Sequence, residues 1–232
     1  MRSFSISLLF LGALAVPAIC QQPGVNDTAD DTANETGGKR ILWIIPNFRT
    51  SPTLAQYKPL TVREKLVIAS EDSFDRGTVA LAALFAGDGQ LTDSNPSFGQ
   101  GVKGYARYFG TAYGDFVVGD FMTEGIFPSF LHQDPRYFRR GRGSFKSRLA
   151  YSAGQIFLTH GDSGRTQFNF SEVLGNSAAV GVSMAWYPDN RNVGDAVSKL
   201  GVQLGVDMAS NILKEFVPDV TRRFSRKHTG QR

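Results

Sequence analysis

Two short stretches carry the side chains that chemistry most often uses. His132-Gln133-Asp134-Pro135-Arg136 and His160-Gly161-Asp162-Ser163-Gly164-Arg165 each set an imidazole two residues from a carboxylate, with an arginine just beyond. Imidazole and carboxylate together can hold a divalent metal, and arginine beside them can clamp a phosphate. The same residues also make chain turns: histidine at a helix C-terminus complements the dipole, and Asp-Pro or Asp-Ser-Gly reverses the chain. The turn reading is the simpler one and requires no metal and no cofactor.

A second candidate is the pair Asp120 and Glu124, four residues apart and so on one face of a helix, with Asp115 nearby. Two carboxylates held together can do acid and base work, because repulsion raises the pKa of one of them. The alternative is ion pairing with the basic segment that follows. That segment is the strongest electrostatic signal in the chain. Between Asp134 and Asp162 stand Arg136, Arg139, Arg140, Arg142, Lys146 and Arg148 with no acid among them, and Tyr137, Phe138 and Phe145 are interleaved. Arg222, Arg223, Arg226 and Lys227 form a second basic cluster.

In a cytosolic protein such a pattern suggests nucleic acid. Here the N-terminus argues for export. Arg2 is followed by an apolar run from Phe4 to Val16, and Ala18 and Cys20 are the small residues a signal peptidase requires, which predicts a signal peptide over 1–20 and a mature start at Gln21. Lipid attachment at Cys20 is the alternative, although Ile19 replaces the small residue that such a signal normally has. Cleavage removes the single cysteine, so the mature chain forms no disulfide and no thiolate metal site. Outside the cytoplasm nucleic acid is no longer the expected partner. The available anions are lipid headgroups and envelope components, and aromatics beside arginines suit a membrane interface.

Positioning these residues falls to helices. Residues 21–40 form an acidic leader too poor in bulky apolar side chains to order itself, and Ile41 to Ile45 reads as a strand, an edge segment or an interfacial anchor. Thr61-Val62-Arg63-Glu64 is a capping box that predicts a helix from Thr61 to about Ser73. An apolar stretch from Gly77 to Ala86 and a turn near 87–96 follow. The longest periodic segment is Gly101 to Phe127, where Ala106, Gly110 and Gly114 make a stripe suited to close backbone approach. A shorter helix is expected over Ser144 to Leu158, another from Asn169 to about Trp186, and a last one from Asn192 to Pro218. On that last helix Val197, Leu200, Leu204 and Met208 form one packed face, with Gly201, Gly205 and Ala209 a second beside it. The expected fold is all-α: a Gly-rich bundle of about five or six helices over 41–218, followed by a basic tail over 219–232. A β-barrel does not fit, because the apolar period is helical and not alternating.

Three resemblances bear on function. Pro128-Ser129-Phe130-Leu131-His132 resembles the Pro-Ser-Gly-His element of lipid-phosphate phosphatases, and Ser147-Arg148 with His160 resembles their later Ser-Arg and His element; this implies a histidine nucleophile with arginines on the phosphate. The spacing departs from that pattern in both elements, and the family's Lys-Arg-Pro element and spanning helices are missing. Gly161-Asp162-Ser163-Gly164 matches the nucleophile region of chymotrypsin-like proteases, but Arg165 stands where glycine is required and the chain reads as helical. The broadest match comes from Tyr57-Lys58-Pro59-Leu60-Thr61, Glu71-Asp72-Ser73-Phe74-Asp75, Leu131 to Phe138 and Asn169 to Gly175. Those phrases resemble a family of exported, Gly-rich bacterial envelope proteins with no assigned activity. The resemblance implies the periplasm or outer membrane of a bacterium and adds no mechanism.

The sequence thus leads to an exported, envelope-associated binding or structural protein that meets an anionic lipid or membrane surface through Arg136 to Arg148, peripherally or partly inserted. The competing expectation is a hydrolase of a phosphorylated envelope lipid, with His132, Asp134, His160, Asp162, Asp120 and Glu124 as its candidate catalytic residues.

Overall fold

A computed structural model describes residues 57–229, with side chains through 220, and three two-residue strands upstream of them. The chain divides between Gly37 and Gly38, and every described residue lies in Gly38–Arg232. The expected signal peptide and acidic leader fall outside the described residues.

The described chain is mostly helical. Its helices are α1 (Val62–Ser73), α2 (Arg76–Leu91), α3 (Gly101–Asp120), the short α4 (Phe127–Phe130), α5 (Phe145–Gly154), α6 (Phe170–Ser183) and α7 (Val193–Thr229). Six of these are ten residues or longer, as the all-α expectation required. A π-helical turn, Phe121–Ile126, joins α3 to α4. Strand is confined to short pairs: β1 (Arg40–Ile41) with β2 (Ile45–Pro46), β3 (Thr50–Ser51) parallel to β4 (Tyr137–Phe138), and the hairpin β5 (Leu158–His160) with β6 (Thr166–Phe168).

Local chemistry explains the starts. Thr61 accepts from the Glu64 N–H while Glu64 accepts from the Thr61 N–H, closing the capping box. Asp75, Ser144 and Asn169 cap α2, α5 and α6 by accepting from Gly77, Ser147 and Glu172. Asn192 and Asp195 cap α7 reciprocally: Asn192 Oδ1 accepts from the Asp195 N–H at 2.9 Å and Asp195 Oδ2 from the Asn192 N–H at 3.2 Å.

The ends depart from expectation in three places. α2 runs on to Leu91, so the turn is shorter than 87–96. α5 stops at Gly154, because Leu158 enters β5 and pairs with Phe168. α7 passes through Pro218 and reaches Thr229, so the helix does not end at the proline and the tail is helical in backbone as far as Thr229. Proline disturbs the carbonyls one turn before it. Here Arg139 Nε and Arg148 Nη2 donate to the Glu215 carbonyl at 3.0 and 2.8 Å, so side chains supply donors to that turn.

α2 packs along α3, α1 and α6 pack on the π turn, and α5 packs on α7. One cluster of the core is Ala86, Phe98 and Tyr108, with Tyr187 against it. The Tyr108 hydroxyl accepts from the Asn95 N–H and donates to the Asn95 carbonyl, both at 2.9 Å, which pins the α2–α3 connection. The stripe of Ala106, Gly110 and Gly114 is not the close contact it was expected to be. A Cβ built on Gly110 meets nothing within 4 Å, and one on Gly114 meets only the Trp186 ring at 3.8 Å. Gly201 and Gly205 of α7 also face open space and Val197 is exposed, so α7 does not pack on both faces. The close approach occurs at the π turn. A Cβ on Gly175 would stand 3.0 Å from Thr123 Cα, and one on Gly125 would stand 2.9 Å from Leu66 Cδ2. Periodicity marked small residues on the helices, but the glycines with close neighbours are others: Gly125 and Gly175 at the π turn, Gly104 against the Gly99 carbonyl and Gly89 against the Tyr108 ring.

Candidate functional site

The two His-x-Asp stretches meet. Gln133 and Gly161 form an antiparallel bridge, the Asp134 N–H donates to the His160 carbonyl and the Asp162 N–H to the His132 carbonyl, both at 2.8 Å. His132-Gln133-Asp134 and His160-Gly161-Asp162 therefore lie side by side in opposite directions.

Each carboxylate of this ladder has a cation. Asp134, fully buried, holds Arg136 through Nη2 at 2.6 Å and Nε at 3.0 Å, and also accepts from the Arg136 N–H. The Tyr57 hydroxyl donates to the Gly161 carbonyl at 2.8 Å and lies 3.0 Å from Asp134; burial and that carboxylate raise its pKa above the ordinary tyrosine value. Asp162 takes Lys65 of α1, a residue only 1 % exposed whose ammonium also donates to the Pro128 carbonyl at 3.1 Å. Gln133 links the ladder to α6. Its Nε2 donates to the Phe168 carbonyl, and its Oε1 accepts from both the N–H and the hydroxyl of Ser171 at 2.7 Å.

The two histidines have different environments. His132 is 82 % exposed in its side chain and its Nδ1 lies 3.6 Å from Asp162. It takes φ +53 directly after α4, and the next residue, Gln133, donates its N–H back to Pro128. This is a helix-ending turn in which histidine occupies the left-handed position usually given to glycine. The turn expectation therefore fits His132. His160 instead closes β5, is buried with its ring 4.8 Å from that of Phe138, and has an Nδ1 with no hydrogen-bond partner among the described residues. Burial lowers its pKa below the ordinary histidine value, against the opposing pull of Asp134.

The basic segment divides. Arg139 pairs with Asp219 at 2.5 Å, and Arg148 pairs with Glu215 and Asp219, both at 2.6 Å. With Arg136 on Asp134, three of the six cations are held inside the fold. Glu215 is the anchor. Its fully buried carboxylate accepts from the Tyr137 hydroxyl at 2.7 Å, the Arg140 N–H at 3.0 Å, the Gly141 N–H at 2.9 Å and Arg148 Nε at 2.6 Å. Burial alone would raise its pKa, but these donors hold it below the usual carboxylate range. Arg140 stacks over Tyr151, donates to Ser147 and remains exposed. Arg142 and Lys146 are exposed as well, and Phe145 between them is 65 % exposed while its ring rests 4.9 Å from that of Phe216.

The acidic pair is also rearranged. Asp120 faces a cleft enclosed by α2, α3, α6 and α7, and Glu124 is buried in the π turn. Arg139 and Arg148 reach α7, and Asp115 takes Lys199 of α7 at 2.7 Å, the Trp186 Nε1–H at 3.0 Å and the Tyr187 hydroxyl at 2.8 Å.

Sequence reasoning did not single out Lys65, Lys199, Glu215 or Asp219. Their partners lie on other elements, so no local motif announces them. The one available signal was the run Arg136 to Arg148 itself, which needed acids from elsewhere if its aromatics were to be buried. No family model, no curated protein and no solved structure matches this chain.

Proposed function

We propose that this is an exported envelope protein that docks on an anionic lipid surface, peripherally or partly inserted. The observation that carries the reading is the inverted distribution of side chains. Lys65, Asp75, Glu124, Asp134, Lys214 and Glu215 are buried, while Leu81, Leu84 and Leu91 lie along the outside of α2 and Val102 at the start of α3 is exposed. Leu91 and Val102 are 88 % and 89 % exposed. Single exposed leucines are ordinary, but an outward stripe at spacing three and seven favours contact with something apolar. No described helix is long and apolar enough to cross a membrane, so the reading is of contact with the surface and shallow insertion. The exposed cations Arg140, Arg142 and Lys146, with Phe145 among them, suit anionic headgroups.

The test is vesicle flotation of the full-length protein. Arg140, Arg142 and Lys146 changed together to glutamine should weaken binding to anionic vesicles by about 1 kcal/mol per charge, and added salt should do the same. Arg139 and Arg148 are left alone, because their loss would disturb Glu215. Leu84→Gln with Leu91→Gln should weaken binding to neutral and anionic vesicles alike. Binding indifferent to salt and to both sets of changes, in variants that keep the helical circular-dichroism signal, would overturn the reading.

A further inference from the structure

The cleft between α2, α3, α6 and α7 offers a second site, independent of any lipid surface. Its volume is about 430 Å³, in the range of small-molecule pockets. Phe85, Tyr108 and Phe116 supply apolar and aromatic wall. Asp88, Asp115, Asp120, Asp195 and Asp207 also line it, against one cation, Lys199. A concave, low-dielectric surface with that imbalance concentrates a negative potential, which rejects anions and draws cations.

The chain itself shows what such a wall accepts. The Lys199 ammonium lies 3.5 Å from the centroid of the Tyr187 ring and 2.7 Å from Asp115 Oδ2, and also donates to Ser183 Oγ. Aromatic face, carboxylate and hydroxyl together form an ammonium seat. Lys199 occupies that seat and neutralises Asp115, leaving Asp88, Asp195 and Asp207 to set the potential. A separate observation asks for a donor: Gln203 lines the cleft, and its Oε1 is buried with no hydrogen-bond partner among the described residues. A buried amide oxygen without a donor is costly, and a ligand bearing N–H groups would satisfy it. A bare metal ion fits less well, since no three His, Cys, Asp or Glu side chains among the described residues are placed to hold one.

We propose that this cleft binds an organic ammonium ion with an apolar body, the charge facing the carboxylates and Gln203 and the body lying against Phe85 and Phe116. The ammonium can belong to a soluble amine or to an aminolipid headgroup.

Trp186 donates to Asp115, so its emission reports on the cleft, and Trp43→Phe in the full-length chain isolates that signal. The probe is 4-phenylbutylammonium, compared with 4-phenylbutanol and 4-phenylbutyrate. The expected result is saturable binding of the ammonium, with the alcohol and the carboxylate at least about tenfold weaker. Gly119 lines the cleft and a Cβ there meets nothing within 4 Å, so Gly119→Leu should fill the space and cost about tenfold or more in affinity. Should Gly119→Leu lose its helical signal, Asp88→Lys at the exposed rim decides. It should weaken the ammonium about threefold and leave the alcohol unchanged. Displacement of the probe by phosphatidylethanolamine vesicles assigns the site to a headgroup, and displacement by hexylamine alone assigns it to a soluble amine. Displacement by neither, equal affinity for ammonium and alcohol, or an Asp88→Lys variant that binds the ammonium unchanged overturns the proposal.

Discussion

Replacing Glu215 by glutamine should cost about 3 kcal/mol, because the change keeps the shape and removes the charge from a site built for it. The carboxylate receives four donors and is completely buried. Glutamine offers one acceptor oxygen and turns an NH₂ toward groups that themselves donate. The loss falls below the upper end for a broken buried pair, about 5 kcal/mol, because Asp219 still meets Arg148 Nη1 at 2.6 Å and Arg139 Nη2 at 2.5 Å. With a urea slope of about 2 kcal/mol per molar, the midpoint should fall by about 1.5 M. The pH dependence gives a second reading. The pKa of folded Glu215 is held below its unfolded value, so its stabilisation is complete above the unfolded carboxylate range and is lost as pH falls through the folded value. Asp219, also lowered despite its partial burial, through its bonds to Arg148 and Arg139, adds a loss of the same sign. Glu215→Gln should therefore be less stable than the parent at pH 7 and lose less on acidification. A midpoint within about 0.2 M of the parent at pH 7, where about 1.5 M is expected, would show that the anchor contributes no net stability.

Two further changes test packing and burial. Gly175→Leu should destabilise by about 2 to 3 kcal/mol by pushing into Thr123 and Met122 across the π turn, whereas Gly110→Leu should stay within about 0.5 kcal/mol, as read from paired urea midpoints. His160 is buried with its pKa lowered, so the unfolded chain binds its proton more readily. The parent should lose stability as pH falls through the ordinary histidine value of about 6.5, and His160→Gln should flatten that limb of the curve.

What could be read from the sequence was local. Thr61-Val62-Arg63-Glu64, Asn169 and Asn192 announce helix starts because a cap and its partner lie within three residues. The meeting of His132-Gln133-Asp134 with His160-Gly161-Asp162 could not be read, since the intervening residues turn twice before the bridge forms. The same holds for Glu215, which lies 67 residues from Arg148. Pro218 misled because α7 continues through it, in a turn where Arg139 and Arg148 from a distant segment donate to the Glu215 carbonyl. Gly110 misled because small-residue spacing tells where a helix is smooth and not whether a neighbour lies against it.

These misreadings share a cause that also bears on function. The interior has small apolar residues, Ala69, Ala82, Ala86, Ala112 and Ala179, between buried charges, so helices approach closely while little apolar area leaves water at those contacts. A bundle of that kind gains much of its definition from fully paired charges, which fix geometry but return little net stability. Large exposed apolar side chains, among them those on the outside of α2 and at the start of α3, are further hydrophobic surface that could stabilise the fold. Covering Leu84 and Leu91 by lipid would remove apolar area from water at about 25 cal/mol per Å² without asking the interior to change. The same division would leave Arg142 and Lys146 exposed to headgroups on the proposed reading, while Arg139 and Arg148 stay bound to Asp219 and Glu215. On the proposed reading, lipid contact and internal order fall to different members of one basic run, and neither set of residues could be exchanged for the other.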